Sequence, residues 1–238
     1  MLRGRIVFSG ANLHKFAYLC SAIRAQGQKM KQKNTIQAPM GETTVLLHTC
    51  CAPCSSAIIE AMVKNGITPV IYYCNPNIYP QEEYEIRKNE CTRYAESLGL
   101  EIIDADYDHD NWLAQMQGLE SEPERGGRCL KCFKLRLLRT AQYAAKRGIK
   151  VITTTLASSR WKSLEQINEA GQWACDKLKE ELTDNAAQNI IPPANIVHWW
   201  DQNWRKGGLQ ERRLQIIKEY DFYNQLYCGC EFSMRKED

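Results

Sequence analysis

The sequence contains no run of about 18 apolar residues without a charge, so no bilayer-spanning helix is expected. Its opening residues, Met-Leu-Arg-Gly-Arg, do not lead into the apolar stretch and small-residue cleavage site of a secretory signal, and a cytoplasmic location is expected. Acids are missing from positions 1–41, where seven cations stand: Arg3, Arg5, Lys15, Arg24, Lys29, Lys31 and Lys33. The formal charge of +3 is therefore uneven, because the remainder carries 24 basic against 28 acidic residues. An acid-free arm of this kind reads as a disordered leader, as an overlong start of the reading frame, or as a segment that contacts phosphates and releases their counterions. The expected division is a basic leader over 1–42 and a single α/β domain over 43–238.

The rest of the composition is ordinary for a globular chain, with 44% apolar and 25% charged residues in 238. The exception is cysteine, of which there are 11. A chain this long, with this much helical pattern, does not need disulfide staples. Clustered thiols in a reducing compartment point instead to metal binding or redox chemistry.

The alternation along the chain sets the fold class. Thr44–His48 reads as a strand, ended by Thr49-Cys-Cys-Ala-Pro-Cys54 and by Ser55-Ser56, which are good helix caps. Ile67–Tyr73 is a second strand, followed by the loop Asn75-Pro-Asn-Ile-Tyr-Pro80 and a helix over Gln81–Leu98 stopped by Gly99. Glu101–Asp104 reads as strand and Asn111–Gln117 as a short helix. Leu130, Phe133, Leu137, Leu138, Ala141 and Ala144 then recur at helical spacing up to Gly148. Lys150–Leu156 is a further strand, Lys162–Leu182 a further helix and Asn195–Trp200 a last β-prone run. Such alternation predicts a Rossmann-like parallel sheet with helices on both faces, and a cysteine-rich metal site beyond the carboxyl ends of its strands. The loops Cys50–Cys54, Cys74–Pro80 and Ala157–Trp161 would share that edge.

Cys129-Leu-Lys-Cys132 is a C-x-x-C at a helix start, where the spacing puts both sulfurs within reach of one metal centre and the free amides favour thiolates. Cys50, Cys51 and Cys54 also stand before a helix. Cys20, Cys74, Cys91 and Cys175 read as small buried hydrophobes. A zinc ion would use four of the remaining seven thiols, whereas an iron–sulfur cluster with an associated thiol pair accounts for more of them. Cys228-Gly-Cys230 differs, because a disulfide across one residue would be strained and easily reduced, with Gly229 supplying the backbone freedom; two further ligands or free thiols are the other reading. His48 reads as a core histidine. Trp199, Trp200 and Trp204 read as core, with base stacking the alternative. The cations Arg125, Arg128, Lys131, Lys134, Arg136 and Arg139 are either a phosphate-holding group near the metal or a solvated helix face.

Taken together, Cys50-Cys-Ala-Pro-Cys54, Tyr73-Cys-Asn-Pro-Asn-Ile78 with Pro80 and Glu83-Tyr84, Arg128-Cys-x-x-Cys-Phe133, Thr153-Thr-Thr-Leu156, and Tyr227-Cys-Gly-Cys230 with Ser233 resemble the cobalamin-independent epoxyqueuosine reductases, the QueH family. The resemblance runs in order over about residues 44–234. It implies reduction of the epoxide of epoxyqueuosine, in the anticodon loop of tRNA, to the cyclopentene of queuosine, the last step of that tRNA modification. It also implies a 4Fe–4S cluster held by Cys50, Cys51, Cys129 and Cys132, and a redox-active pair at Cys228 and Cys230. Cys54 is a candidate ligand for an additional iron or faces substrate. An electron donor of unidentified kind is required, and Lys162 and Tyr79 are candidate proton donors. The chain departs from the family pattern at Ser159-Arg-Trp-Lys162, where Ser-Pro-His-Lys is common, and at Tyr223-Asn-Gln225, where Tyr-Arg-Gln is more usual. Two other functions are weighed against this one. A tRNA-thiolating nucleotide hydrolase would need a Ser-Gly-Gly-x-Asp-Ser loop where Thr49–Cys54 stands, and a zinc-stabilised RNA-binding module without catalysis would be colourless.

Overall fold

The computed structural model describes residues 35–187 and 196–234, with the side chains of 185–187 excepted. The seven basic residues of the leader and Cys20 lie outside the described residues. The end of that leader packs on the domain, since Ala38 is buried in the core and the Ile36 amide donates to Asn65 Oδ1.

Five strands form one parallel sheet in the order β3-β2-β1-β4-β5: β1 (Thr44–Thr49), β2 (Thr68–Tyr73), β3 (Ile102–Asp104), β4 (Val151–Thr154) and β5 (His198–Trp199). The central strands are covered on both faces, so β1 and β2 are buried after their first residue and read as nearly continuous apolar runs. Register pairs Leu46 with Val70 on one side and with Ile152 on the other. β4 is shorter than the sequence suggests. Thr155 and Leu156 leave the sheet for a 3-10 turn over Thr155–Ser158, capped by Thr154 Oγ1 accepting from the Leu156 amide.

Helices α1 (Ala52–Lys64), α2 (Gln81–Ser97) and α6 (Leu209–Tyr220) pack together on one face, while α4 (Gly127–Arg147) and α5 (Leu164–Ala187) pack together on the other, and α3 (His109–Gln115) is a short connector. α4 buries Phe133, Leu137, Ala141 and Ala144 at the spacing read from sequence, and Gly148, in the left-handed region at φ 70°, ends it. α5 approaches the sheet edge closely, because at Gly171 a Cβ would lie 2.2 Å from Trp199 Cδ2. Helix α6 was not expected from the sequence. Of its side chains only Ile216 is buried, and it is tied to α1 by Arg212, whose Nε and Nη2 donate to the Glu60 carboxylate at 2.8 and 2.7 Å.

Among the described residues, no helix is long and apolar enough to cross a membrane.

Candidate active site

The strand order reverses beside β1. The chain leaves β1 for α1 on one face and enters β4 from α4 on the other, which opens a crevice at the carboxyl ends of these two strands. The first residues beyond β1 are cysteines. Cys51 caps α1 with an extended backbone, Pro53 occupies the first turn where its missing N–H costs nothing, and Cys54 is already helical. Ser55 and Ser56 are therefore inside the helix rather than capping it, and Ser55 Oγ donates back to the Cys51 carbonyl.

The Cys50, Cys51 and Cys54 sulfurs all lie within 4.8 Å of one another, and Cys50 Sγ is 3.8 Å from Cys51 Sγ. The turn after β4 fixes this group. The Cys50 amide donates to Thr155 Oγ1 at 3.2 Å, and Cys50 Sγ lies 3.4 Å from the same oxygen. Gln225 Nε2, on the C-terminal segment, donates to Cys51 Sγ at 3.0 Å. Thiol hydrogen bonds from Cys51 and Cys54 hold Cys50 well below the ordinary thiol range, while the same bonds and burial push Cys51 up and Cys54 to about 12. The shared hydrogen bonds thus favour the thiolate at Cys50 over the thiolates of its two neighbours.

A cavity of about 430 Å³ opens above them. Cys50, Cys54, Cys129, Cys132, Cys228 and Cys230 all line it, and Cys51 sits behind the wall, almost wholly buried. Three segments far apart in sequence thus bring their thiols to one space. Its lining holds seven cations against a single acid, Glu124. A cavity of this sign attracts anions and stabilises thiolates.

Cys228 and Cys230 have different surroundings. Lys162 Nζ donates to Cys228 Sγ at 2.9 Å. Burial would raise that thiol, but the Lys162 ammonium, with Arg136 behind it, outweighs burial and leaves the Cys228 pKa lowered. Cys230 packs with Trp112, Cys132 and Phe232, and burial pushes it up to about 12. Both thiols are free. The turn between them depends on Gly229, at φ 107°, where a Cβ would lie 2.9 Å from Ile78 Cγ1 and 3.0 Å from Arg87 Nη1. Arg87, paired with Glu83, donates to the Cys228 and Tyr227 carbonyls, and the Tyr79 amide donates to the Gly229 carbonyl at 2.8 Å.

Of the two candidate proton donors, Lys162 lines the cavity, whereas Tyr79 is outside it, stacked on His109. His48 is a core residue: it is buried, bonded to Thr154 Oγ1 and to the Cys74 carbonyl, and burial lowers its pKa to about 3. Trp200 and Trp204 pack edge to face in the core, and Cys74, Cys91 and Cys175 are buried there as well. The basic group on α4 divides. Arg136 turns inward to the Cys74 carbonyl and Asn75 Oδ1, Arg128 ties down the preceding loop through three carbonyls, and Lys134 pairs with Glu169 on the surface. Asn77 and Gln225, which the sequence marks only as members of the Tyr73–Ile78 and Tyr223–Gln225 segments and gives no role of their own, both line the cavity.

A sequence profile of the family described as epoxyqueuosine reductase QueH matches residues 45–236, from within β1 past the Cys-Gly-Cys turn. The chain belongs to this family. It is similar to the epoxyqueuosine reductase QueH of Histophilus somni, at 43% identity over 90% of this chain and 84% of that one. Its similarity to the proteins of the same name from Haemophilus influenzae and Acinetobacter baylyi is 42% in each case, over 90% and 86% of this chain and 86% and 87% of theirs. Members of the family are thus named as oxidoreductases, and the cavity residues described above lie within the matched span.

Of the expected ligands, Cys50 and Cys51 group closely with Cys54, a set that could hold a metal ion, while Cys129 and Cys132 share the cavity without belonging to that group. Asn77 Oδ1, Trp112 Nε1 and Gln225 Oε1, on residues that line the cavity, are buried and have no partner among the described residues, which suits the cavity to a polar occupant. The thiol donors suit iron, and the surrounding cations offset the negative charge that thiolate ligands bring.

Proposed function

We propose that this chain reduces the epoxide of epoxyqueuosine in tRNA to the cyclopentene of queuosine, completing that modification, in the cavity at the strand ends. Membership of the family supports the reaction. The observation that carries the site is the meeting of three thiol segments and the Lys162–Cys228 pair on one cation-lined cavity.

Removal of the epoxide oxygen as water needs two electrons and two protons. Conversion of a dithiol to a disulfide releases that number of each, so epoxide plus dithiol gives alkene, water and disulfide in balance. Cys228 and Cys230 are proposed as this pair. Lys162 holds one of the two protons beside the Cys228 thiolate, positioned to pass it to the departing oxygen. Cys50, Cys51, Cys129 and Cys132 are proposed to hold a 4Fe–4S cluster, and Cys54 to take a further iron. Such a cluster, when bound, supplies one-electron transfer. A reductant from outside the chain must then return the disulfide to the dithiol.

Anaerobically prepared protein should contain iron and acid-labile sulfide, and Cys51→Ala and Cys129→Ala should lose visible absorbance and activity together. Colourless, sulfide-free protein holding zinc would favour an RNA-binding module instead. An epoxide left intact by iron-loaded protein supplied with a strong reductant would overturn the proposed reaction.

A further inference from the structure

The loop after the 3-10 turn sends two neighbouring side chains in opposite senses. Lys162 reaches inward to Cys228, while Trp161, at the rim of the same cavity, is 74% exposed. It is far more open than the other tryptophans, of which Trp173 is 36% exposed and Trp112, Trp200 and Trp204 are buried. The backbone beneath it is not loose. Arg125 Nε donates to the Trp161 carbonyl at 2.9 Å and Arg125 Nη2 to the Arg160 carbonyl at 3.0 Å, Arg205 Nη2 donates to the Lys162 carbonyl at 2.8 Å, and the Trp161 amide donates to Ser159 Oγ. Arg125 is itself held in the left-handed region, at φ 66°, with its carbonyl accepting from Gln166 Nε2. The ring is therefore an open flat surface on a fixed base.

The charge around this ring is of one kind. Arg160 precedes it, Arg125 lies beneath it, and Arg213 lines the same cavity, opposed only by Glu124. An exposed aromatic ring among cations, beside a cavity that must admit one base of a polynucleotide, is what single-stranded nucleic acid requires: stacking for a neighbouring base and positive charge for its phosphates. We propose that Trp161 is a stacking platform for a nucleobase adjacent to the one that enters the cavity, with Arg160 contacting the flanking phosphate. This rests on the tRNA substrate proposed above and names the residues that hold its loop.

The test uses the full-length, cluster-loaded protein and an RNA hairpin with the sequence of the anticodon arm, bound over a range of salt concentrations. Trp161→Ala should weaken binding about 5- to 150-fold at every salt concentration without changing the salt slope, and Trp161→Phe should recover most of the loss. Arg160→Ala should instead lower the slope of log affinity against log salt by about 0.7, the value for one phosphate contact on a single strand. Truncating so exposed a ring leaves folding intact, which an unchanged melting temperature verifies. Wild-type affinity in Trp161→Ala across the salt range overturns the inference. Failure of the unmodified protein to bind the hairpin at all overturns the tRNA reading itself, and the two failures are told apart by which protein fails.

Discussion

Gly229→Ala puts the reasoning about the Cys-Gly-Cys turn at most risk. The backbone there, at φ 107°, is one that residues with a Cβ adopt at a cost of about 1–3 kcal/mol. The added methyl would also meet Ile78 Cγ1 at 2.9 Å and Arg87 Nη1 at 3.0 Å. Neither neighbour can give way freely, since Ile78 is buried and Arg87 is paired with Glu83 and two carbonyls. Overpacking of this kind adds about 1 kcal/mol or more, so about 2–4 kcal/mol is expected in total. That strain is relieved by undocking the turn, because few backbone bonds hold it. The Tyr79 amide, which donates to the Gly229 carbonyl, reports on undocking directly. At about 1.4 kcal/mol per factor of ten, its hydrogen exchange should accelerate roughly 30- to 700-fold, while amides within β1 stay protected. Cys228 should lose its lysine partner in the same variant and alkylate as an ordinary thiol. Unchanged exchange at Tyr79 would show that the turn does not depend on glycine and would refute the account of the pair's geometry.

Three further outcomes follow from the site. Lys162→Met removes the ammonium that outweighs burial at Cys228; discounting the Coulomb attraction at a half-buried lysine to about 1–2 kcal/mol, alkylation of Cys228 near neutral pH should slow about tenfold and require higher pH, as rate profiles against pH would reveal. Cys228→Ser should keep its visible absorbance yet stop after at most one turnover; loss of colour in that variant would make Cys228 a ligand instead. His48, buried and neutral with its pKa lowered from 6.5 to about 3, binds a proton in the unfolded chain before it does so in the folded one. Stability is then full above pH 6.5 and falls by up to about 1.4 kcal/mol per pH unit towards pH 3 on this account, a slope that His48→Gln should remove in urea titrations.

The sheet was legible because buried parallel strands leave apolar runs, and α4 because its buried positions recur at helical spacing and stop at a left-handed glycine. What was lost has identifiable causes. Helix α6 fully buries only Ile216, with Leu209, Ile217 and Tyr220 packed half-buried against the core, so its apolar stripe is faint among charged residues, and the arginine–glutamate contact between residues 60 and 212 that also ties it down is encoded by no local pattern. β4 ends two residues before the expected Leu156 because Thr155 and Leu156 suit a strand as well as a turn, and tertiary bonding from Thr155 to Cys50 decides between them. The cysteine clusters were visible one by one. Their meeting was foreseeable only through the rule that strand ends converge, and the Lys162–Cys228 contact spans 66 residues that carry no record of it.

The close approach of α5 to β5 at Gly171 bears on how the protein behaves in a crowded solution. β5 has two residues and β3 on the opposite edge has three, so both borders of the sheet offer little backbone for another chain to pair with. On the β5 side the protection is completed by Trp199, which the missing side chain at 171 allows to lie flat beneath the helix. Any larger residue there would lift α5 from the border and uncover β4 behind it, a fully buried strand. The first symptom of such a change would be edge-to-edge association and precipitation.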